Sequence, residues 1–275
     1  MTVFYEGYST FSDYRKNYLL NNNKNVNESM FMDGPFPCVQ HYHAKDNAFK
    51  KFYKDYTGPD FNYNFNSLGF RSPELDKDNP ALASFGCSHT MGVGVPEASR
   101  FSYVFAKKLG LINYDFSVSG CGNLDIIRNL VAFLKKDRKN TDTRMILIAW
   151  SHPTRSNVIT YRNEKLIAEM IYPAQDHFKD KQIDMYKELW HQYGSQVYTL
   201  EIMKTAELLC ELAGIPLIQF NVYQKYWTLP HKPIDTLYQI DWKELDKGRD
   251  ASHFGIQTHA QIADLLYDSY TYIIK

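Results

Sequence analysis

The stretch Ala83–Val95, "ASFGCSHTMGVGV", decides how the rest of the chain is read. A small apolar run leads into Gly86, Cys87 and Ser88, and two further glycines follow at Gly92 and Gly94. A strand ending in a glycine-flanked serine is either an ordinary turn, with Ser88 as a helix N-cap, or a serine put on display. The surrounding pattern separates the two.

Working outward, "ALASFG" reads as a short buried strand. "EASRFSYVFAKKLG" carries Phe101, Val104, Phe105 and Leu109 at helical spacing, with Gly110 suited to a C-cap. "INYDFSVS" is a second strand, and "NLDIIRNLVAFLKKDRK" an amphipathic helix with Asn123 as its expected N-cap. "RMILIAW" is apolar throughout, as in a parallel strand covered on both faces. "LEIMKTAELLCELAG", "IPLIQF" and "IQTHAQIADLLYDSYTYII" add a helix, a strand and a closing helix. This alternation predicts a doubly wound, three-layer α/β/α sandwich of flavodoxin-like type, with a mainly parallel sheet of about five strands. Residues 1–75 read as an irregular, aromatic-rich extension packed on a main domain of residues 76–275, with a short helix expected near Asn47–Tyr56. "LLNNNKNVNESM" and the Gly-Pro turns place little regular structure there. A polar, aromatic insertion is expected at about residues 155–197.

Composition narrows the partners. Lysine plus arginine equals aspartate plus glutamate, 31 each, so nothing favours nucleic acid. No apolar run is long enough to span a membrane, and the N-terminus lacks an apolar signal core. Together these predict a soluble, cytoplasmically made chain. Four scattered cysteines, Cys38, Cys87, Cys121 and Cys210, form no C-x-x-C pair and are expected to be reduced. Tyrosine alone accounts for 21 residues, enough to furnish both core and a sugar-binding or protein-binding surface.

Open parallel sheets bind ligands beyond the carboxyl ends of their strands. Four clusters fall there: Gly86–Thr90, Ser119–Asn123, Trp150–Arg155 and, before the last helix, Asp250–His253. A serine hydroxyl is a weak nucleophile and needs a base; histidine titrates nearest neutrality, and a carboxylate on its other nitrogen selects one tautomer. Ser88, His253 and Asp250 supply those types, and the backbone N–H groups of Ser88 and Gly120 are candidates for an oxyanion hole.

In these blocks the chain resembles the SGNH, or GDSL-like, hydrolase family. "FGCS" is similar to its first block, "DFSVSGCGN" to its second and "DASHFGIQTHAQIADLLY" to its last; "NSLGFRSPE", Asn66–Glu74, resembles a segment found upstream of the first block in bacterial and phage members. The resemblance covers about residues 66–275 and implies a serine esterase, with Ser88 as nucleophile, Asp250 and His253 as its partners, Gly120 as an oxyanion donor and no cofactor or metal. It also implies a small ester, such as an O-acetylated carbohydrate, as substrate.

Two departures stand out. Cys87 occupies the aspartate position of the first block. Pro153 falls where the third block, G-x-N-D, would supply an asparagine donor, and proline donates nothing. His152, Asn123, Arg155 and Asn157 are the substitutes nearest that place, His152 first. Arg71, Trp150 and Arg155 are candidate substrate contacts. Competing readings are a non-catalytic binding or structural protein of the same fold, such as a virion component, and an O-acyltransferase. A zinc site on His89, His152 and His253 lacks an acidic partner cluster, and Cys38, His41 and His43 lack a fourth ligand nearby. Cys87 is the alternative nucleophile, and Asp250–His253 could instead be a surface turn capping the last helix. Oligomeric state is not written in the sequence.

Overall fold

The computed structural model describes Tyr56, Gly58, Pro59 and residues 61–162, 165–171, 192–224, 236–238, 240–250 and 252–273; within 156–171, 192–194 and 272–273 it describes the backbone alone. The helix expected near Asn47–Tyr56, Cys38, and most of the residue 1–75 extension lie outside the described residues.

Four strands, β1 (Pro80–Gly86), β2 (Ile112–Asp115), β3 (Asp142–Trp150) and β6 (Leu217–Asn221), form one parallel sheet in the order β2-β1-β3-β6. Among the described residues the sheet has four strands, against the expectation of about five. At the fifth position a single parallel bridge joins Gln219 to Leu237. Between β3 and β6 an antiparallel hairpin, β4 (Ser156–Arg162) with β5 (Lys165–Ile171), occupies part of the expected insertion.

Among the described residues five α-helices accompany the strands: α1 (Ser88–Met91), α2 (Phe101–Lys108), α3 (Asn123–Ala132), α4 (Gln192–Ala213) and α5 (Ile256–Ile273). Because side chains alternate along a strand, each strand feeds two cores. Ala81, Ala83 and Phe85 of β1, with Ile146, Ile148 and Trp150 of β3, meet Ile126 and Leu130 of α3 and Met203 and Ala206 of α4. Leu82, Leu147, Ala149 and Phe220 meet Phe101 and Phe105 of α2 and Ile262 and Leu266 of α5. The result is the three-layer α/β/α arrangement.

Local details differ from the sequence reading. Gly122, not Asn123, is the N-cap of α3; the Asp125 carboxylate reaches back 3.1 Å to the Gly122 N–H, as the first turn of a helix favours. After Ala132 the backbone loosens into a π turn, Phe133–Asp137. Helix α4, described over Gln192–Ala213, overlaps the last residues of the expected insertion. Gly110, φ +70°, follows the C-cap Leu109 of α2. Among the described residues no helix is long and apolar enough to cross a membrane.

Candidate active site

The strand order β2-β1-β3-β6 puts the topological switch beside β1, and the Gly86–Thr90, Ser119–Asn123 and Trp150–Arg155 clusters follow the carboxyl ends of β1, β2 and β3. Ser88 is the first residue of α1, two residues past β1, and 5% exposed. Cys87, not Ser88, is the N-cap, and it makes no side-chain capping bond, so the hydroxyl of Ser88 is not spent on a cap. Gly120, φ +83°, turns the chain after β2. The N–H groups of Ser88 and Gly120 have no hydrogen-bond partner among the described residues.

The Asp250–His253 loop is held by its own backbone. Gly248 N–H donates to His253 O (2.8 Å), and Lys247 bridges Phe254. Asp250 is fully buried. Its Oδ1 accepts from the N–H groups of Ser252 (3.3 Å) and His253 (3.2 Å), and its Oδ2 accepts from Ser252 Oγ (2.7 Å) and from His253 Nδ1. Burial pushes the Asp250 carboxyl up; the His253 hydrogen bond and charge, the Ser252 hydroxyl and the His253 N–H outweigh it and hold it down at about 2. With Nδ1 engaged, Nε2 of the 14%-exposed imidazole is left as the basic nitrogen. The reading of this loop as a helix cap does not hold: Asp246 does that work, accepting from Gln257 N (3.0 Å) and Thr258 N (2.9 Å) of α5.

The two halves meet through glycine. Arg249 N–H donates to Gly94 O (2.7 Å), and a Cβ on Gly94, φ +85°, would come 2.6 Å from Asp250 Oδ1. On the same side, the His89 ring lies 4.9 Å from the His253 ring and 3.9 Å from that of Phe254, centroid to centroid. Among the described residues no hydrogen bond joins Ser88 Oγ to His253.

Several sequence candidates have other work. Arg71 is 1% exposed; its guanidinium donates to Met91 O (3.2 Å), Gly92 O and Val95 O (2.8 Å) and lies 4.4 Å from the Tyr63 ring. It ties down the turn after Ser88 and is not open to substrate. The Asn66–Glu74 segment delivers it: Asn66 Oδ1 accepts from Leu68 N and Phe70 N, and Ser67 bonds Glu74. Trp150 is fully buried with Nε1 donating to Gln219 Oε1 (2.8 Å), so it belongs to the core. Asn123 is no oxyanion donor either: its Oδ1 accepts from Ser151 N (2.8 Å) and its Nδ2 donates to Ser151 O and Thr199 Oγ1 (3.3 Å each), clamping the end of β3. Burial makes these losses intelligible, since a buried polar group must be bonded inside the protein.

His152 and Arg155 follow the carboxyl end of β3. His152 Nδ1 accepts from Thr154 N (3.2 Å) and lies 2.8 Å from Thr154 Oγ1, which places the ring hydrogen on Nε2. The half-buried Arg155 guanidinium sits 5.9 Å from the ring of Tyr223, whose centroid is 5.6 Å from that of His152. Sequence reading missed Tyr223, which stands two residues beyond β6 with no motif around it. Cys87, Cys121 and Cys210 are buried free thiols, and burial pushes Cys210 up to about 12. No group of three or more His, Cys, Asp or Glu side chains among the described residues is arranged to hold a metal ion.

Solved structures similar to this chain include esterases and a GDSL-like lipase. A psychrotrophic esterase from Pseudoalteromonas sp., inhibited by monoethylphosphonate, shares 14% identity over 72% of this chain and 99% of its own, with a TM-score of 0.43. An acetyl xylan esterase from Butyrivibrio proteoclasticus shares 13% over 72% of this chain, with a TM-score of 0.39; this chain spans 64% of its length. A GDSL-like lipase from Bacteroides thetaiotaomicron shares 10% over 86% of this chain and 98% of its own, with a TM-score of 0.30. No family model and no curated protein matches the chain.

Proposed function

We propose that the chain is a serine ester hydrolase working through an acyl-enzyme. The observation that carries the reading is the Asp250–His253 pair, buried on its carboxylate side and docked by Gly94 against the turn that presents Ser88. His253 Nε2 takes the Ser88 proton as Oγ attacks the ester carbonyl, and the N–H groups of Ser88 and Gly120 receive the developing oxyanion. His253 then returns the proton to the departing alcohol. A water, deprotonated by the same nitrogen, releases the acid and restores Ser88. The Ser88–His253 contact closes when substrate excludes water, as catalytic hydrogen bonds loose in the free enzyme commonly do. His152 Nε2–H is the third oxyanion donor in this scheme, in the place of the absent asparagine, and Arg155 is a substrate contact. The substrate class implied by the sequence resemblance is an O-acylated carbohydrate.

A serine-reactive phosphonate tests the proposal. It should label Ser88, and Ser88→Ala should lose labelling together with about 10⁶ of kcat on a short-chain ester, the scale seen for a serine-protease nucleophile. Absence of labelling and turnover in the folded wild type would leave the second reading, a non-catalytic binding protein, which Pro153 and the unmade Ser88–His253 bond favour. Turnover that requires a sugar acceptor would make the same site an O-acyltransferase.

A further inference from the structure

We propose that His89 is a positioning residue for the His253 base, working through the packing of its ring and not through proton transfer; the kinetic arm of this inference rests on the hydrolase reading above. His89 follows Ser88 in α1 and is 5% exposed. Three aromatic groups surround it. The Phe254 ring lies 3.9 Å away at 35°, the His253 ring 4.9 Å away at 59°, and the Tyr223 ring 5.5 Å away, nearly perpendicular.

The hydrogen bonding of His89 shows why the ring is a wall and not an acid or base. Nε2 lies 3.1 Å from Tyr223 Oη, while the buried Nδ1 has no hydrogen-bond partner among the described residues. An orphaned N–H is rarer in protein interiors than an orphaned lone pair. The ring hydrogen therefore sits on Nε2, donated to Tyr223, and Nδ1 presents only a lone pair. Burial first, then the nearby charges of His253, His259, Arg155 and Lys247, hold His89 well below an ordinary histidine, so it stays neutral. Neutrality matters here. When His253 takes the Ser88 proton it becomes an imidazolium, and a second positive ring beside it would oppose that step.

Asp250 and the Ser252 hydroxyl (3.2 Å) both engage His253 at Nδ1, so beyond its Cβ tether the Nε2 side of the ring is held by no hydrogen bond among the described residues and can still rock. Packing against a neighbouring ring limits the rocking. Because His89 adjoins Ser88 in sequence, the wall that stops the base moves rigidly with the nucleophile it serves. A displacement of about 1 Å in such a pair costs on the order of 10²-fold in rate.

The test compares His89→Ala with His89→Phe, which keeps a flat ring and drops the Tyr223 bond. Imidazole ¹³Cε1 relaxation of His253 should show an ordered ring in the wild type and in His89→Phe, and a mobile one in His89→Ala. On a short-chain ester, kcat of His89→Ala should fall about tenfold or more with KM changed less than about threefold, and His89→Phe should recover most of it. A folded His89→Ala whose His253 ring is as ordered as the wild type's overturns the inference, as does failure of His89→Phe to restore order. Should His89→Ala not fold, His89→Leu, apolar but without a flat ring, takes its place with the same expectation. The relaxation measurement needs no substrate. A chain that Ser88 labelling shows to be no hydrolase therefore loses the reading above while this one is still decided.

Discussion

At the residue scale the site depends on which nitrogen of each histidine is already spoken for. His253 gives Nδ1 to Asp250 and keeps Nε2. His152 gives Nδ1 to Thr154 and keeps the hydrogen of Nε2. In the proposed mechanism the same residue type is thus a base in one place and a donor in the other, set by local hydrogen bonds. The proposed donor role of His152 has a kinetic signature. His152→Ala should lower kcat by about 10²-fold, the lower end for loss of one oxyanion donor, with KM little changed, because the contact is made in the transition state. Steady-state kinetics on a chromogenic ester checks it; an unchanged kcat in a folded variant would leave the hole with two donors.

At the scale of elements, the loop after α1 and the loop before α5 reach the site from far apart in the chain and meet at Gly94. The turn holding Gly94 is fastened from three sides: Arg71 takes the carbonyls of Met91, Gly92 and Val95, Tyr63 Oη accepts from Gly94 N–H (2.8 Å), and Arg249 N–H donates to Gly94 O. Phe61 adds its ring face, 3.8 Å from the Arg249 guanidinium. Gly94→Ala should therefore damage the site beyond its effect on stability. Its φ of +85° costs about 1–2 kcal/mol for any L side chain, and its Cβ would strike Asp250 Oδ1 and Arg249 N, forcing the two loops apart. The expected outcome is a protein that melts a few degrees lower and retains a few per cent or less of wild-type kcat/KM, read by thermal melting alongside ester turnover. Full activity in that variant would mean the docking of the loops does not govern the chemistry.

For the molecule as a whole, buried histidines tie stability to pH. His259 of α5 is fully buried, its Nδ1 accepts from Phe101 N (3.1 Å), and burial, with the charges of Arg100, Arg71 and His253, lowers it to about 3. His89 is lowered as well. In the unfolded chain both take up a proton near 6.5, and in the folded protein neither does until well below that. The unfolded state then binds more protons, so the stabilisation is complete above pH 6.5 and is lost as pH falls toward the folded values. Asp250 acts in a separate window: its contribution is complete above about pH 3.8 and is lost only as pH falls toward 2. Below pH 6.5 both histidines should therefore lower stability as pH falls, His259 down to about pH 3. His259→Asn keeps an acceptor near the Phe101 N–H but cannot take up the proton, so its urea-derived stability should fall less steeply with pH than the wild type's. Equal slopes would mean His259 titrates normally in the fold.

The sequence by itself determined the layers. Apolar runs in β1, β3 and β6 alternating with amphipathic helices leave one way to bury every face, and the order of the serine, glycine and Asp-x-x-His blocks put their residues at one edge of the sheet. Periodicity is a local property, so it is legible without the fold. What only the tertiary structure decided is how each polar side chain is spent, because that depends on neighbours distant in sequence. Arg71 looked available to substrate and is consumed by carbonyls some twenty residues on; Asn123 looked like a donor and clamps β3; Trp150 looked like a substrate contact and fills the core. Tyr223 and the ring packing of His89 carried no signal, since a residue that acts by contact with a ring more than a hundred positions away leaves no spacing to read. Buried polar groups must find partners, and folding, not spacing, chooses which ones.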